Sequence, residues 1–409
     1  MTRPERFTAP EELKRWRLIT LFIGAAGSFI VLGTALVFPE MREQALRSWL
    51  LGFIFWAGVG IGCLGLLLTQ YLTGGAWGVV SRRLLEAGSR TLPILVILFI
   101  PLAVGVWTGS VYTWTHLPWT DHVMQQRGIF ATPWAWIGRS LLYFALFGFM
   151  AWYLNRCSYR QDRATTPEEA ANQLIKASRF SGPTIIFWCL IVSFAAVDWI
   201  LCLDPYFSST IYGMLFIAGW GLSATCFATV ILALMSELPP LDRVVGRRHF
   251  HDYGKLMLTF VMVWAYFNFA QYLIIWSGNV PEEASWFLVR STGIWGYIGA
   301  ILIFFHFGFP FLVLLKQDFK RKAKWLAALA IFVLLMRVFD MLYLIGPNPR
   351  ISMPEATEGT YIISSLDLVG PIAVGGIFLW WYFGEVMRRP VAPAHDPYFE
   401  SAIEHGRGE

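Results

Sequence analysis

Ten apolar runs, each long enough to cross a bilayer, constrain this chain more than any other feature. They cover residues 16–38, 48–72, 92–112, 134–153, 183–203, 211–235, 256–276, 292–315, 325–345 and 361–383. An α-helix rises about 1.5 Å per residue, so ~20 apolar residues span the hydrocarbon of a membrane. The expected fold is an all-α integral membrane protein with ten transmembrane helices. Composition agrees: 56% of residues are hydrophobic, 14% are charged, and the mean hydropathy is +0.54. Charge this sparse could not solvate a soluble surface of this size. The 20 Trp and 33 Phe suit lipid contact and interfacial belts. The first run is full length and lacks a small-residue cleavage pattern, so it is expected to stay as a helix.

Lys and Arg set the expected orientation. The amino-terminal segment, the even-numbered connections and the carboxyl tail hold 25 of them, against 5 in the odd-numbered connections. The positive-inside rule then places both termini in the cytoplasm. The net charge of +5 is thereby a topology signal, with no call for nucleic acid. The basic connections, Arg82, Arg83 and Arg90 among them, read as anchors against anionic membrane lipid. The chain divides into a segment 1–15, a membrane domain 16–385 and a tail 386–409.

Five cysteines, Cys63, Cys157, Cys189, Cys202 and Cys226, are scattered singly. With no Cys-x-x-Cys pair, iron–sulfur, zinc and c-type haem attachment are unsupported, so no cofactor and no metal is expected on this chain. The thiols read as small packing residues. Among the histidines only His306 falls within an apolar run. One membrane histidine cannot supply the paired axial ligands of a b-type haem. His306 reads either as a polar packing residue or as a proton carrier. Pro101 and Pro310 are expected to kink their helices.

Three matches point to an internal duplication. Phe55-Trp56-Ala57-Gly58-Val59-Gly60 pairs with Phe216-Ile217-Ala218-Gly219-Trp220-Gly221, and Phe144 to Phe149 pairs with Phe304 to Phe309, at offsets of 161 and 160. Asp198, followed by Pro205, pairs with Asp340, followed by Pro347, at an offset of 142. Runs 2–5 (48–203) and 6–9 (211–345) thus read as two parallel four-helix bundles, flanked by runs 1 and 10. The glycines in the first match would let helices approach closely.

Polar groups inside the runs are few, and each is a candidate for function. An intramembrane carboxylate costs on the order of 2.5–3.5 kcal/mol on insertion scales and is functional by default. Asp198 is expected about five residues, hence ~8 Å, from the end of its helix. Arg337 and Asp340 are three apart and share a helix face. Arg139, Asn268, Gln271 and Asp367 complete the set with His306, nearly all in the outer half. Two readings stand. One is a pair of structural ion pairs, Arg139 with Asp198 and Arg337 with Asp340. The other is a proton-conducting set, in which a carboxylate without a cationic partner, such as Asp367, exchanges protons. The outer connections 116–133 and 278–290, with Trp119, Asp121, Glu282 and Glu283, read either as solvated loops or as docking sites for extracytoplasmic subunits.

The Asp198–Pro205 element, with Ser208-Ser209-Thr210-Ile211-Tyr212-Gly213 after it, resembles the NrfD-like membrane proteins of alternative complex III. So does the segment from Trp264 through Asn268 and Gln271 to Asn279, followed by Pro281-Glu282-Glu283. Together with Leu72-Thr73-Gly74-Gly75-Ala76-Trp77-Gly78, these stretches are more similar to the ActF-type subunit than to its ActC-type relative. The resemblance covers all ten runs and fades in the tails.

It implies a quinol:electron-acceptor oxidoreductase in which quinol is oxidised near the outer face. Electrons pass through iron–sulfur clusters and c-type haems on partner subunits. The ActC-type homologue is the one implied to bind quinone. The ActF-type chain carries no redox cofactor and has an implied role in conducting protons. On this resemblance the proton-path positions are Asp198, Arg337, Asp340 and Asp367. Two other classes stay open: a quinone-binding anchor of a molybdenum-type respiratory enzyme, and an independent secondary transporter.

Overall fold

The computed structural model describes residues 7–351 and 363–408. The predicted start of the tenth run at Tyr361, and Arg3 and Arg6 in the amino-terminal segment, lie outside them. Among the described residues the regular structure is entirely helical: α1 Glu12–Val37, α2 Arg42–Thr73, α3 Ala76–Ser89, α4 Leu92–Trp107, α5 His122–Arg127, α6 Pro133–Asp162, α7 Pro167–Trp199, α8 Tyr212–Met235, α9 Arg247–Gly278, α10 Pro281–Ser291, α11 Gly293–Ile301, α12 Phe309–Leu315, α13 Gln317–Lys320, α14 Ala323–Ile345, α15 Leu366–Met387 and α16 Phe399–Arg407, with short 3₁₀ turns and one π turn between them. Ten segments of the described residues are long and apolar enough to cross a membrane. The chain is a multi-pass, all-α membrane protein. Helices suit lipid because they satisfy their own backbone groups there. Ten alternating crossings put both termini on one face, called here the terminal face; the other is the far face.

Two helices are central. In α2, 94% of the spanning window is buried within the protein, and in α8 89%, against 22% for α1 and for α9. The peripheral helices leave their outer faces to lipid, as Phe22 and Phe29 on α1 and Phe269 and Trp276 on α9 do. Small residues set the contact distances. A Cβ on Gly24 would lie 2.5 Å from the Ile377 amide nitrogen, so α1 and α15 meet backbone to backbone. The glycines singled out in the sequence act differently. Gly58 makes room for the Trp220 indole, Gly219 for the Arg337 guanidinium and Gly221 for the Phe260 ring. These three receive large side chains rather than neighbouring backbones, and Gly60 faces the Thr91 hydroxyl and Leu95.

Several helices outrun the bilayer at the terminal face. α7 starts at Pro167, where the Thr166 hydroxyl accepts the Glu169 N–H (3.2 Å), and carries Lys176, Arg179 and Pro183 within it. α9 begins at Arg247, nine residues before its apolar run. Residues assigned to connections are therefore helical, since polar side chains outside hydrocarbon do not end a helix.

Two further expectations are corrected. Arg82 and Arg83 are not lipid anchors: they lie on α3, with side chains 1% and 3% exposed, at the centre of the terminal face. Gly74 and Gly75, with φ of 67° and 101°, turn the chain from α2 into α3, a conformation a side chain would strain. The described residues of the tail, 386–408, are also not separate from the helices. Val391 donates its N–H to the Phe7 carbonyl (2.9 Å), Phe399 packs edge-on against Phe7, and α16 lies on α3 and α9. His249 locks this docking: Nδ1 accepts from the Gly246 amide (3.0 Å), which leaves Nε2–H for the Ala402 carbonyl (2.9 Å). α4 runs through Pro101 as an unbroken helix. Pro310 cannot donate to a preceding carbonyl, and the ladder before it widens into a π turn over Leu302–Gly308.

Candidate functional site

Three helices of the second half, α8, α9 and α14, and the π turn between α11 and α12 converge on one buried polar centre. Arg337 and Asp340 pair within α14, with side chains 2% and 4% exposed. The Trp264 indole N–H donates to the same Asp340 oxygen, Oδ2, at 3.1 Å. The Arg337 Nε donates to the Ser223 hydroxyl (3.3 Å), and its guanidinium fills the space that Gly219 leaves. The His306 ring lies 4.0 Å from the Trp264 ring. It is fully buried, and neither ring nitrogen has a hydrogen-bonding partner among the described residues. A buried imidazole left so is costly and calls for an explanation beyond packing. A π turn presents it, a geometry that recurs at functional sites. Beside the pair is a cavity of about 10 Å³, lined by Asn268, Trp264, Phe216, Arg337 and Asp340. That is close to the volume one water needs. Asp340 lies ~8 Å from the far end of α14, and His306 ~20 Å along its own span, so the centre reaches from near the far face toward the middle.

The first half holds a different arrangement. Arg139 of α6 grips Asp198 of α7 with both nitrogens, Nε to Oδ2 and Nη2 to Oδ1, each at 2.8 Å. Tyr143 donates to Oδ2 (2.7 Å), and Trp136 donates to the Asp198 carbonyl (2.6 Å). Every strong acceptor of this carboxylate is engaged, across two helices, in a fork geometry that ties α6 to α7. Asp198 is also shallower than the apolar run implied. α7 ends at Trp199, one residue later, and a 3₁₀ turn at Leu201–Leu203 finishes the run.

The remaining predicted residues are dispersed. Asp367 opens α15 and accepts from the Ser48 hydroxyl (2.6 Å), the Gln44 amide (2.8 Å) and the Ser364 N–H (2.9 Å). All three donors are neutral, in keeping with a carboxylate expected to have no cationic partner. Asn268 donates to the Trp264 carbonyl (2.9 Å) and faces the small cavity. Gln271 is buried one turn further, its side-chain nitrogen without a partner among the described residues.

A second charged assembly was missed. Arg82 bonds Asp396 (2.5 Å), and Gln161 holds the same carboxylate oxygen at 3.2 Å. Arg83 bonds Glu86 (2.9 Å), Ser158 (2.5 Å) and Asp162. Arg90 joins Glu385 (2.9 Å) and Asn155 (2.6 Å). The available signal was the acids Glu86 and Asp396 standing among arginines in segments read as basic.

On the far face Asp121 caps α5 through the Val123 N–H (2.8 Å) and accepts from the Tyr206 hydroxyl (2.9 Å). These two bonds, the Val123 amide first, hold its carboxylate below the usual range. Trp119 and Glu282 remain exposed there.

Among the described residues no group of three His, Cys, Asp or Glu side chains is placed to hold a metal, and all five cysteines are free thiols. Fold and site define a ten-span helical membrane protein with a buried charged centre in its second half. No family model matches the chain, and no curated protein matches it.

Proposed function

We propose that this chain is a membrane subunit of a quinol:electron-acceptor oxidoreductase of the alternative complex III kind, and that its part is to move protons. One observation supports this most: the Arg337–Asp340 pair, bonded by Trp264, sits beside a buried His306 with no partner on either nitrogen among the described residues. Packing alone would favour an apolar ring there. The residues can pass a proton without a cofactor. Asp340 can take one beside the water-sized cavity, Trp264 and Arg337 fix its orientation, and His306 offers the next site inward. Redox chemistry belongs in this reading to partner subunits that carry iron–sulfur clusters and c-type haems, and to an ActC-type homologue that binds quinone. The two halves are read as parallel repeats. The Arg139–Asp198 fork then keeps the ion pair of the first repeat as a structural clamp.

In this reading the terminal face is cytoplasmic and the membrane is a bacterial inner membrane. A periplasm-dependent reporter fused after residue 409 should be inactive and a cytoplasmic one active; the reverse result removes the orientation. Purification through a tag on this chain should bring down haem-bearing and iron–sulfur subunits, with quinol oxidation in the pool. A chain that purifies alone and transports a solute would make it an independent transporter. Bound quinone on the isolated chain would make it a quinone-binding anchor.

A further inference from the structure

We infer that a groove between α4, α6 and α15 at the terminal face binds one anionic phospholipid of the adjoining leaflet. The groove encloses about 650 Å³. Its end nearest the terminal face is cationic. Arg90, Arg156, Arg388 and Arg389 line it against one lining carboxylate, Glu385. Glu385 serves two of them, bonding Arg90 at 2.9 Å and also Arg388. Glu86, behind the wall, is 3.8 Å from both Arg90 and Arg389 and already bonds Arg83. Positive charge is therefore in surplus. Arg156 lies over the Trp152 ring (5.1 Å) and Arg389 over Tyr159 (5.4 Å), which holds both cations at the rim.

The deeper part of the groove is apolar, with Val96 and Phe144 on its walls. A Cβ added to Gly148 would meet nothing within 4 Å, so this stretch of α6 leaves open space. From Phe144 to Tyr159 the helix rises about 22 Å, the depth of one leaflet's hydrocarbon and its headgroup layer. Trp152, Trp381 and Tyr159 stand where aromatic side chains mark the interface. A cationic mouth over a leaflet-deep apolar slot matches a phosphate carrying acyl chains. Basic pockets between spanning helices on the cytoplasmic side have this use.

The purified full-length chain, stripped of lipid in detergent, would be titrated with phosphatidylglycerol, phosphatidylcholine or inorganic phosphate. Native mass spectrometry and thermal unfolding would be the readouts. Phosphatidylglycerol should be retained and raise the unfolding temperature, phosphatidylcholine much less, and phosphate alone not at all. Arg156→Gln with Arg388→Gln removes two exposed cations and should weaken phosphatidylglycerol retention about thirtyfold. Gly148→Trp fills the apolar slot without touching a charge and should also abolish retention while the protein stays folded. Equal retention of the two lipids by the wild type overturns the inference. So does stabilisation by phosphate alone, which would make the mouth a simple anion site. A polypeptide captured by a photocrosslinker at position 148 in membranes would make the groove a subunit interface and also overturn it.

Discussion

Arg337→Leu should destabilise the protein by about 3–5 kcal/mol, while Arg337→Leu with Asp340→Leu should recover most of that loss. The single change strands a carboxylate in the interior, held only by the Trp264 indole, and an uncompensated buried charge is what makes such changes severe. The double change removes both charges and leaves apolar side chains against α8 and α9. If the pair only holds helices together, the double variant assembles and works normally. If Asp340 carries protons, the double variant assembles and oxidises quinol, but reconstituted vesicles move less charge per electron. Asp340→Asn tests the same step more gently, because the amide keeps the shape and can still accept from Trp264 but cannot ionise. His306→Phe completes the set. It removes a buried imidazole with no described partner, so stability should hold or rise while charge movement falls. An unchanged charge-to-electron ratio in both the double variant and His306→Phe leaves the centre a structural ion pair and ends the proton reading.

The second large effect belongs to the terminal face. Arg82→Leu should also cost about 3–5 kcal/mol, because the Asp396 side chain has 0% exposure and would keep only neutral donors, the Gln161 amide and the Tyr398 N–H. The loss should be local before it is global. Asp396 lies between the Val391 contact with Phe7 and the docked α16, so this segment should become cleavable well below the unfolding temperature. Limited proteolysis with mass mapping, alongside the thermal midpoint, checks both parts. Arg82→Leu with Asp396→Leu should restore much of the protection. A single variant whose carboxyl-terminal segment stays protected and whose midpoint is unchanged would show that the ion pair contributes little.

The candidate site was legible in part, and the division has a physical basis. A charge inside an apolar run stands out, so Arg139, Asp198, Arg337 and Asp340 could be found and paired by position alone. Trp264 could not be singled out, since one indole in a helix of Trp, Tyr and Phe carries no mark of the carboxylate it faces. His306 was visible, yet its lack of a partner among the described residues depends on what α9 and α14 bring beside it. Charges in polar connections give no signal, because solvent is their default setting. That is why the buried network of Arg82, Glu86 and Asp396 was read as a basic loop.

Sequence by itself determined the class of fold and the number of crossings. Hydrocarbon permits few polar groups, and a run long enough to cross it has to be a helix. Only the tertiary structure decided where the helices end, which glycines receive side chains and which charges are interior. Helix extensions beyond the bilayer obey ordinary helix rules, which hydropathy does not report. The two arginine–aspartate pairs show the same division. Each aspartate is followed by a proline seven residues on, but Asp198 is gripped from α6 with Tyr143 beside it, and Asp340 pairs within one turn of α14 against Trp264. What separates a clamp from a candidate proton site is the set of neighbours that packing supplies.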